Sequence, residues 1–148
     1  MKIRIERSEL PQNEIVIKCG PDADAGAILK AVEEALAHSS ALPLKLGGTD
    51  CFVKLCDILF FETSGDRTAA HTASAMYNTS KKLYELEELL PRTFVRVSKS
   101  CIVNSAHVDS VDRSFTGPSE IGFRSTHKKA YASRKYCKSL MDILKETR

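Results

Sequence analysis

The 148-residue sequence predicts a mainly β protein of the α+β class, with short helices between its strands. Apolar and polar residues alternate with a period of two in residues 94–104 and in several shorter segments, which is typical of half-buried β-strands. Gly47 and Gly48 separate two such segments, as in a β-hairpin. Apolar residues at helical spacing occur in three short segments, so helices are predicted to be minor elements.

The first 43 residues are predicted to form a small β-β-α element. Residues 1–8 and 14–19 have the alternation of strands, and a helix is expected at residues 25–37, capped by Asp22 or Asp24. The apolar stripe of this helix consists of Ile28, Leu29, Val32 and Leu36. Two strands and one helix are too small to bury that stripe by themselves. We therefore expect the element to dock on the rest of the chain or to form a homodimer.

Residues 44–148 are predicted to form a second domain, after a linker that ends at Pro43. The domain begins with the glycine-turn hairpin. It also contains a short helix that Ser80 caps and Pro91 ends. Strands are expected at residues 57–62, 68–75, 76–78, 108–112, 120–124 and 129–132. A terminal helix opens at Ser133.

Residues 94–104 are predicted to form one long strand with a cationic, hydroxyl-rich face. The polar residues of that face are Arg96, Ser98, Lys99 and Ser100, and Asn104 lies at the end. Such groups are the donors that contact phosphate oxygens and base edges in protein–DNA complexes. The alternative interpretation is an ordinary half-buried strand with a solvated polar face.

The positive charge is concentrated in the last third of the chain. The net charge is +3, but residues 92–148 carry twelve basic and five acidic residues, a net charge of +7. This distribution predicts an anion-binding face in the C-terminal part. No apolar run approaches the ~20 residues of a membrane span, and the N-terminus lacks the apolar core of a signal peptide. The sequence therefore predicts a cytoplasmic protein that does not contact membranes.

The sequence offers no pattern typical of a catalytic, metal or cofactor site. Five cysteines without a CxxC pair argue against both a disulfide framework and a zinc ribbon, and the scattered histidines are expected at the surface. Neither a nucleophile elbow nor a phosphate-binding loop is present. Cys101 neighbours basic residues, but the alternation places it inward, so it is predicted to be a buried thiol. We expect no enzyme activity, no cofactor and no small-molecule substrate.

Four motifs, in this order and spacing, resemble the LytTR family of bacterial DNA-binding domains. They are Ile-Leu-Phe-Phe-Glu at 58–62, Leu-Tyr-Glu-Leu-Glu-Glu-Leu-Leu-Pro at 83–91, Phe-Val-Arg-Val-Ser-Lys-Ser-Cys-Ile-Val-Asn at 94–104 and Ala-Ser-Arg-Lys-Tyr at 132–136. The resemblance covers about residues 44–146. It implies an elongated, mostly antiparallel β domain whose loops enter successive major grooves of double-stranded DNA.

The resemblance also implies which residues contact DNA. Asn104 and Arg134 match family positions that contact bases, and Arg67 is the nearest donor in the loop where the third family contact lies. Backbone contacts are expected from Arg96, Ser98, Lys99, Ser100 and Lys135. The chemistry agrees independently, since arginine can bind guanine, and asparagine adenine, through two hydrogen bonds. An alternative for Asn104 is a conformational role at the end of a strand.

The function predicted from these observations is a sequence-specific, DNA-binding transcriptional regulator that acts as a homodimer on repeated half-sites. The alternative is a protein-interaction module or antagonist that has the same fold but does not bind DNA, which the mild net charge keeps open. Many family members carry a receiver domain before this domain. The first 43 residues have no phospho-acceptor pattern, so control by phosphorylation is not expected.

Overall fold

A computed structural model describes residues 15–147, except the side chains of residues 37–39. The predicted strand at residues 1–8 lies outside the described residues. Within the described range the helices are α1 (Ala25–Ser39), α2 (Leu83–Leu89) and α3 (Arg134–Glu146). The strands are β1 (Ala41–Leu46), β2 (Thr49–Lys54), β3 (Ile58–Ser64), β4 (Arg67–Thr72), β5 (Met76–Thr79), β6 (Phe94–Ser98), β7 (Cys101–Asn104), β8 (Val108–Asp112), β9 (Ser119–Phe123) and β10 (Lys129–Ala132).

The described strands form two antiparallel sheets, which confirms the predicted mainly β, α+β fold class. The larger sheet has seven strands in the order β2-β1-β5-β4-β3-β7-β6, and the smaller has three in the order β10-β9-β8. Neighbouring strands pair in antiparallel fashion throughout. The first hairpin turns at Gly47, whose φ of +62° is a conformation that favours glycine.

The seven-stranded sheet is covered on both faces where β3, β7 and β6 lie. On one face, the small sheet and α3 pack on it through residues that include Leu59, Val97, Val103, Ile121 and Leu140. On the other face, α2 packs on it through residues that include Ile58, Phe61, Ile102, Leu83 and Leu86. The central strands therefore lie between two close-packed hydrophobic cores. This packing fixes the positions of the turns at the ends of these strands.

The stretch predicted as one long strand is instead a hairpin, so that prediction is wrong. β6 and β7 pair with each other, and the chain reverses at Lys99 and Ser100. The reason lies in three consecutive polar residues, which interrupt the alternation that a continuous strand needs. Ser98 stabilises the reversal, because its hydroxyl oxygen accepts a hydrogen bond from the Ser100 amide at 3.1 Å.

Three smaller predictions are also wrong. The helix predicted to be capped by Ser80 begins at Leu83, because the Glu85 carboxylate accepts a hydrogen bond from the Lys82 amide at 2.7 Å. The first strand starts at Ala41, so Pro43 lies within it rather than at a linker. Residues 15–20, which include most of the second predicted strand, have no regular secondary structure.

The histidines and cysteines match the predictions in part. His71 was expected at the surface, but it is buried, stacks on Phe60 at a centroid distance of 4.3 Å, and hydrogen-bonds Glu62 at 2.9 Å. Cys101 is a buried free thiol, as predicted, and Cys137 is buried as well, whereas Cys51 and Cys56 are half-buried and Cys19 is exposed. Burial raises the pKa of the Cys101 thiol to about 12. Cys101 therefore stays protonated and unreactive near neutral pH.

Helix α1 forms where it is predicted and contacts later parts of the chain. Asp24 caps it by accepting a hydrogen bond from the Ala27 amide at 3.0 Å. Glu33 lies 3.8 Å from the guanidinium of Arg92, and the helix also packs near the turn of residues 55–57. Its stripe is incompletely covered: Ile28 and Val32 are half-buried, whereas Leu29 and Leu36 are 45% and 44% exposed.

Candidate nucleic-acid interface

Two turns and the start of α3 lie together at one end of the seven-stranded sheet. The Thr63 amide and hydroxyl both donate to the Ser100 carbonyl, at 2.8 and 3.3 Å, which links the β3–β4 turn to the β6–β7 turn. The Ser133 amide donates to the Val97 carbonyl at 2.8 Å, which places the start of α3 beside β6. We call residues 64–67, 98–100 and 133–135 the turn surface.

The β3–β4 turn contributes Arg67. Ser64 and Arg67 face each other across the turn, and Gly65 has a φ of +61°, so the tight reversal favours glycine there. Arg67 is the first residue of β4 and is exposed. Its neighbour Asp66 is also exposed, so this part of the turn surface carries both signs of charge.

The β6–β7 turn contributes Lys99, which is exposed at the tip of the hairpin. The turn is held from inside by Arg96. The Nε of Arg96 donates to the Ser98 carbonyl at 2.6 Å, Nη2 donates to the Lys99 carbonyl, and Nη1 donates to Glu87 at 3.0 Å. The hydroxyls of Ser98 and Ser100 lie 3.3 Å apart. Lys99 thus presents its ammonium group, while Arg96 has all three guanidinium nitrogens engaged within the protein.

The start of α3 contributes Arg134 and Lys135, both exposed. Arg134 is the first helical residue, and its Nη2 donates to the carbonyl of Phe115 in the β8–β9 loop. Ser114 orders that loop, because its hydroxyl accepts hydrogen bonds from the amides of Thr116 and Gly117 at 3.3 and 3.0 Å. Arg134 is therefore supported by an ordered loop and remains open to solvent.

Asn104 does not lie on the turn surface. It is 3% exposed; its Nδ2 donates to the Ile58 carbonyl at 3.0 Å and its Oδ1 accepts from the Ala106 amide at 3.2 Å. It lies three residues beyond Cys101 along β7, or about 10 Å from the turn at the usual rise of a strand. The base contact of Asn104 stays a prediction, and it would require the side chain to leave both partners.

The turn surface has the chemistry of a phosphate-binding and base-reading edge. Arg67, Lys99, Arg134 and Lys135 supply its cations. Strands β4, β3, β7 and β6 are consecutive in the sheet, so the cations spread over three strand spacings, about 14 Å. Among the described residues, no group of three or more His, Cys, Asp or Glu side chains could hold a metal ion. No helix in that part of the chain is long and apolar enough to cross a membrane.

Sequence reasoning missed two residues beside this surface. Lys138 is exposed one helical turn after Arg134, and the spacing of four residues was the signal that could have identified it. Phe115 is 90% exposed, next to the carbonyl that Arg134 contacts. A single phenylalanine in a polar loop gives no sequence signal for such a position.

The comparisons with known proteins point to one family. The family model described as the LytTr DNA-binding domain matches residues 49–145. An uncharacterized HTH-type transcriptional regulator of Staphylococcus aureus (strain NCTC 8325) is 30% identical over 92 residues, which are 62% of this chain and 62% of that protein. Its counterpart in strain MRSA252 is 29% identical over the same shares. The match therefore spans less than two thirds of these relatives' length.

A solved structure has the same fold. The chain matches a LytTr DNA-binding domain from Bacillus cereus with a TM-score of 0.65 and 20% identity, over 72% of this chain and 97% of that one. The HTH label in the relatives' names does not describe this fold, because strands separate α1, α2 and α3 from one another in the described part of the chain.

Proposed function

The chain belongs to the LytTR family of DNA-binding domains, and from that premise we propose that it is a sequence-specific transcriptional regulator that binds double-stranded DNA with the turn surface. The observation that carries the proposal is the convergence of Arg67, Lys99 and Arg134 at one end of the sheet. These cations come from three separate parts of the sequence. We further propose that the protein acts in the bacterial cytoplasm, where its DNA target lies, and that it is not an enzyme.

Each cation has a role that follows from its chemistry. Arg134 and Arg67 are the proposed base readers, because a guanidinium can bind O6 and N7 of guanine through two hydrogen bonds in the major groove. Lys99 and Lys135 are the proposed phosphate contacts, since an ammonium group acts as a point charge. The hydroxyls of Ser98 and Ser100 can donate to phosphates beside Lys99.

The experiment that tests the proposal is selection of bound fragments from a random DNA pool, followed by titration over a range of salt concentrations. We expect one enriched sequence motif and an affinity that falls linearly with salt on logarithmic axes, with a slope of several released counterions. Recovery of no motif, together with no salt-dependent binding, would refute the proposal. That outcome would favour a protein-interaction module, for which α2 offers the exposed apolar side chains of Tyr84 and Leu89.

Replacing Lys99 with alanine should weaken the binding of all DNA sequences about equally. Lys99 is exposed and contacts phosphate in the proposal, so its loss should reduce the salt slope by about one unit without changing the preferred sequence. Titration of cognate and scrambled DNA at several salt concentrations measures both quantities. Lys145→Ala is the matched control, because it removes the same charge from the far end of α3. A loss of one base preference with an unchanged slope would contradict the phosphate role.

The N-terminal helix supports a further part of the proposal, that the protein is a homodimer. Ile28 and Val32 are half-buried, whereas Leu29 on the same helix is 45% exposed. We propose that the first two dock α1 on its own chain and that Leu29 lies in the dimer contact. A dimer would bind two half-sites more tightly than a single copy binds one half-site, because the second contact is intramolecular once the first has formed.

We expect the full-length protein to sediment as a dimer and Leu29→Glu to sediment as a folded monomer, because a charge would be buried in the contact. Ala31→Glu adds the same charge at an exposed position on the other side of α1 and should remain dimeric. Sedimentation velocity with circular dichroism measures mass and fold together. A monomeric wild-type protein, or a dimeric Leu29→Glu, would exclude this contact.

A further inference from the structure

The hydrogen bonds of Arg96 suggest a role different from DNA contact. Building on the proposed function, we propose that Arg96 is a positioning residue that fixes the β6–β7 turn and thereby places Lys99 against DNA, and that Glu87 on α2 holds Arg96 in this geometry.

The guanidinium of Arg96 bridges two backbone carbonyls of the β6–β7 turn. Its Nε and Nη2 donate to the carbonyls of two successive residues, Ser98 and Lys99. The planar, fixed arrangement of guanidinium donors suits two acceptors at once, and a lysine cannot reproduce it. The Arg96 side chain is 23% exposed, so these hydrogen bonds are partly shielded from water. The turn therefore depends on the shape of the arginine as well as on its charge.

Glu87 fixes the other side of the guanidinium. One of its carboxylate oxygens accepts from Nη1 of Arg96 at 3.0 Å. Glu87 lies on α2, whose Leu83 and Leu86 are buried against the seven-stranded sheet. The ion pair thus connects the turn to an element that the core holds in place. A partly exposed ion pair adds little stability, but it restricts where the guanidinium can lie.

A direct phosphate contact by Arg96 is less consistent with this geometry. Three of its five N–H groups already donate to protein oxygens, and the side chain is only 23% exposed, so just one N–H on each of Nη1 and Nη2 is left for a phosphate. Lys99 lies at the tip of the same turn and is exposed. Arg96 therefore acts on DNA through the placement of Lys99 and its neighbours.

Two substitutions distinguish positioning from direct contact by the direction of their effects. If Arg96 contacted phosphate, Glu87→Gln would free its charge and strengthen DNA binding. If Arg96 positions the turn, Glu87→Gln should weaken the binding of cognate and scrambled DNA alike by about tenfold, the equivalent of one hydrogen bond to a charged group. Glu88→Gln makes the same charge change on a neighbouring exposed residue and controls for it. Arg96→Lys keeps the charge and loses the bridging geometry, so it should resemble Glu87→Gln.

Hydrogen exchange in the free protein tests the positioning role without DNA. The Ser100 amide bonds the Ser98 hydroxyl within the turn, so its exchange should become about tenfold faster in Arg96→Lys and Glu87→Gln if the turn opens more often. It should be unchanged in Glu88→Gln, and amides of the central strands should be unchanged in all variants. Unaltered exchange at Ser100, or tighter DNA binding by Glu87→Gln, would overturn the proposal. Absence of any DNA binding by the wild type would instead refute the proposed function, and the exchange result would still decide the role of Arg96.

Discussion

Arg134→Ala is expected to remove most of the preference for cognate DNA while the fold stays intact. One bidentate contact to a base contributes about 1–3 kcal/mol of discrimination, and Arg134 is exposed at the start of α3, beside the two turns. Its hydrogen bond inside the protein is to the Phe115 carbonyl at the surface. Losing that bond should change the free energy of unfolding little, since surface substitutions usually stay within about 0.5 kcal/mol.

The comparison of cognate with scrambled DNA at fixed salt measures the effect. Arg134→Lys keeps the charge but loses the paired donors, so it should retain overall affinity and lose most of the discrimination. Lys135→Ala, at the next position of α3, should lower affinity for both DNAs and leave their ratio unchanged. Thermal unfolding of each variant checks that the fold is intact. If Arg134→Ala discriminates as well as the wild type, Arg134 does not read bases.

The strands and helices were predictable wherever the spacing of apolar residues stayed regular over a whole element. The strand β10 was predicted with its exact bounds, and α1 and α3 were placed within a few residues. The error at residues 94–104 has a physical cause. Both a long strand and a hairpin bury Val95, Val97 and Val103, so the period alone does not distinguish them. The turn depends on hydrogen bonds that Arg96 donates and that the Ser98 hydroxyl accepts, and a pattern of residue types does not reveal them.

The sequence predicted which residue types form the candidate site. It did not predict which of their side chains are free of hydrogen bonds within the protein and exposed to a ligand. The sequence placed the cations in the C-terminal part, and Lys99 and Arg134 are exposed there. Arg96 has the same residue type as Arg134, yet it bonds two carbonyls and a carboxylate. Whether a donor is engaged within the protein depends on where the fold places its neighbours, such as Glu87 on α2. The same reasoning applies to His71, which Phe60 and Glu62 enclose.

Asn104 provides the second test with a large expected effect, because its two possible roles predict different losses. Asn104→Ala removes the donor to the Ile58 carbonyl and the acceptor for the Ala106 amide. A buried polar group left without a partner costs about 1–3 kcal/mol, so we expect the free energy of unfolding to fall by roughly 2–4 kcal/mol. The protein that remains folded should still discriminate cognate from scrambled DNA.

Urea denaturation measures the first effect, and DNA titration below the unfolding transition measures the second. Asn104→Asp keeps an acceptor for Ala106 but faces a carbonyl with a carboxylate, so it should destabilise at least as much as alanine. Asn78→Ala is the control, because Asn78 is an exposed asparagine on β5 and its loss should change stability by less than about 0.5 kcal/mol. A fully stable Asn104→Ala that has lost discrimination would show that Asn104 leaves Ile58 and Ala106 to contact a base. A destabilised variant that keeps its discrimination would assign Asn104 to the connection between β7 and β3, which holds the β6–β7 hairpin beside the β3–β4 turn.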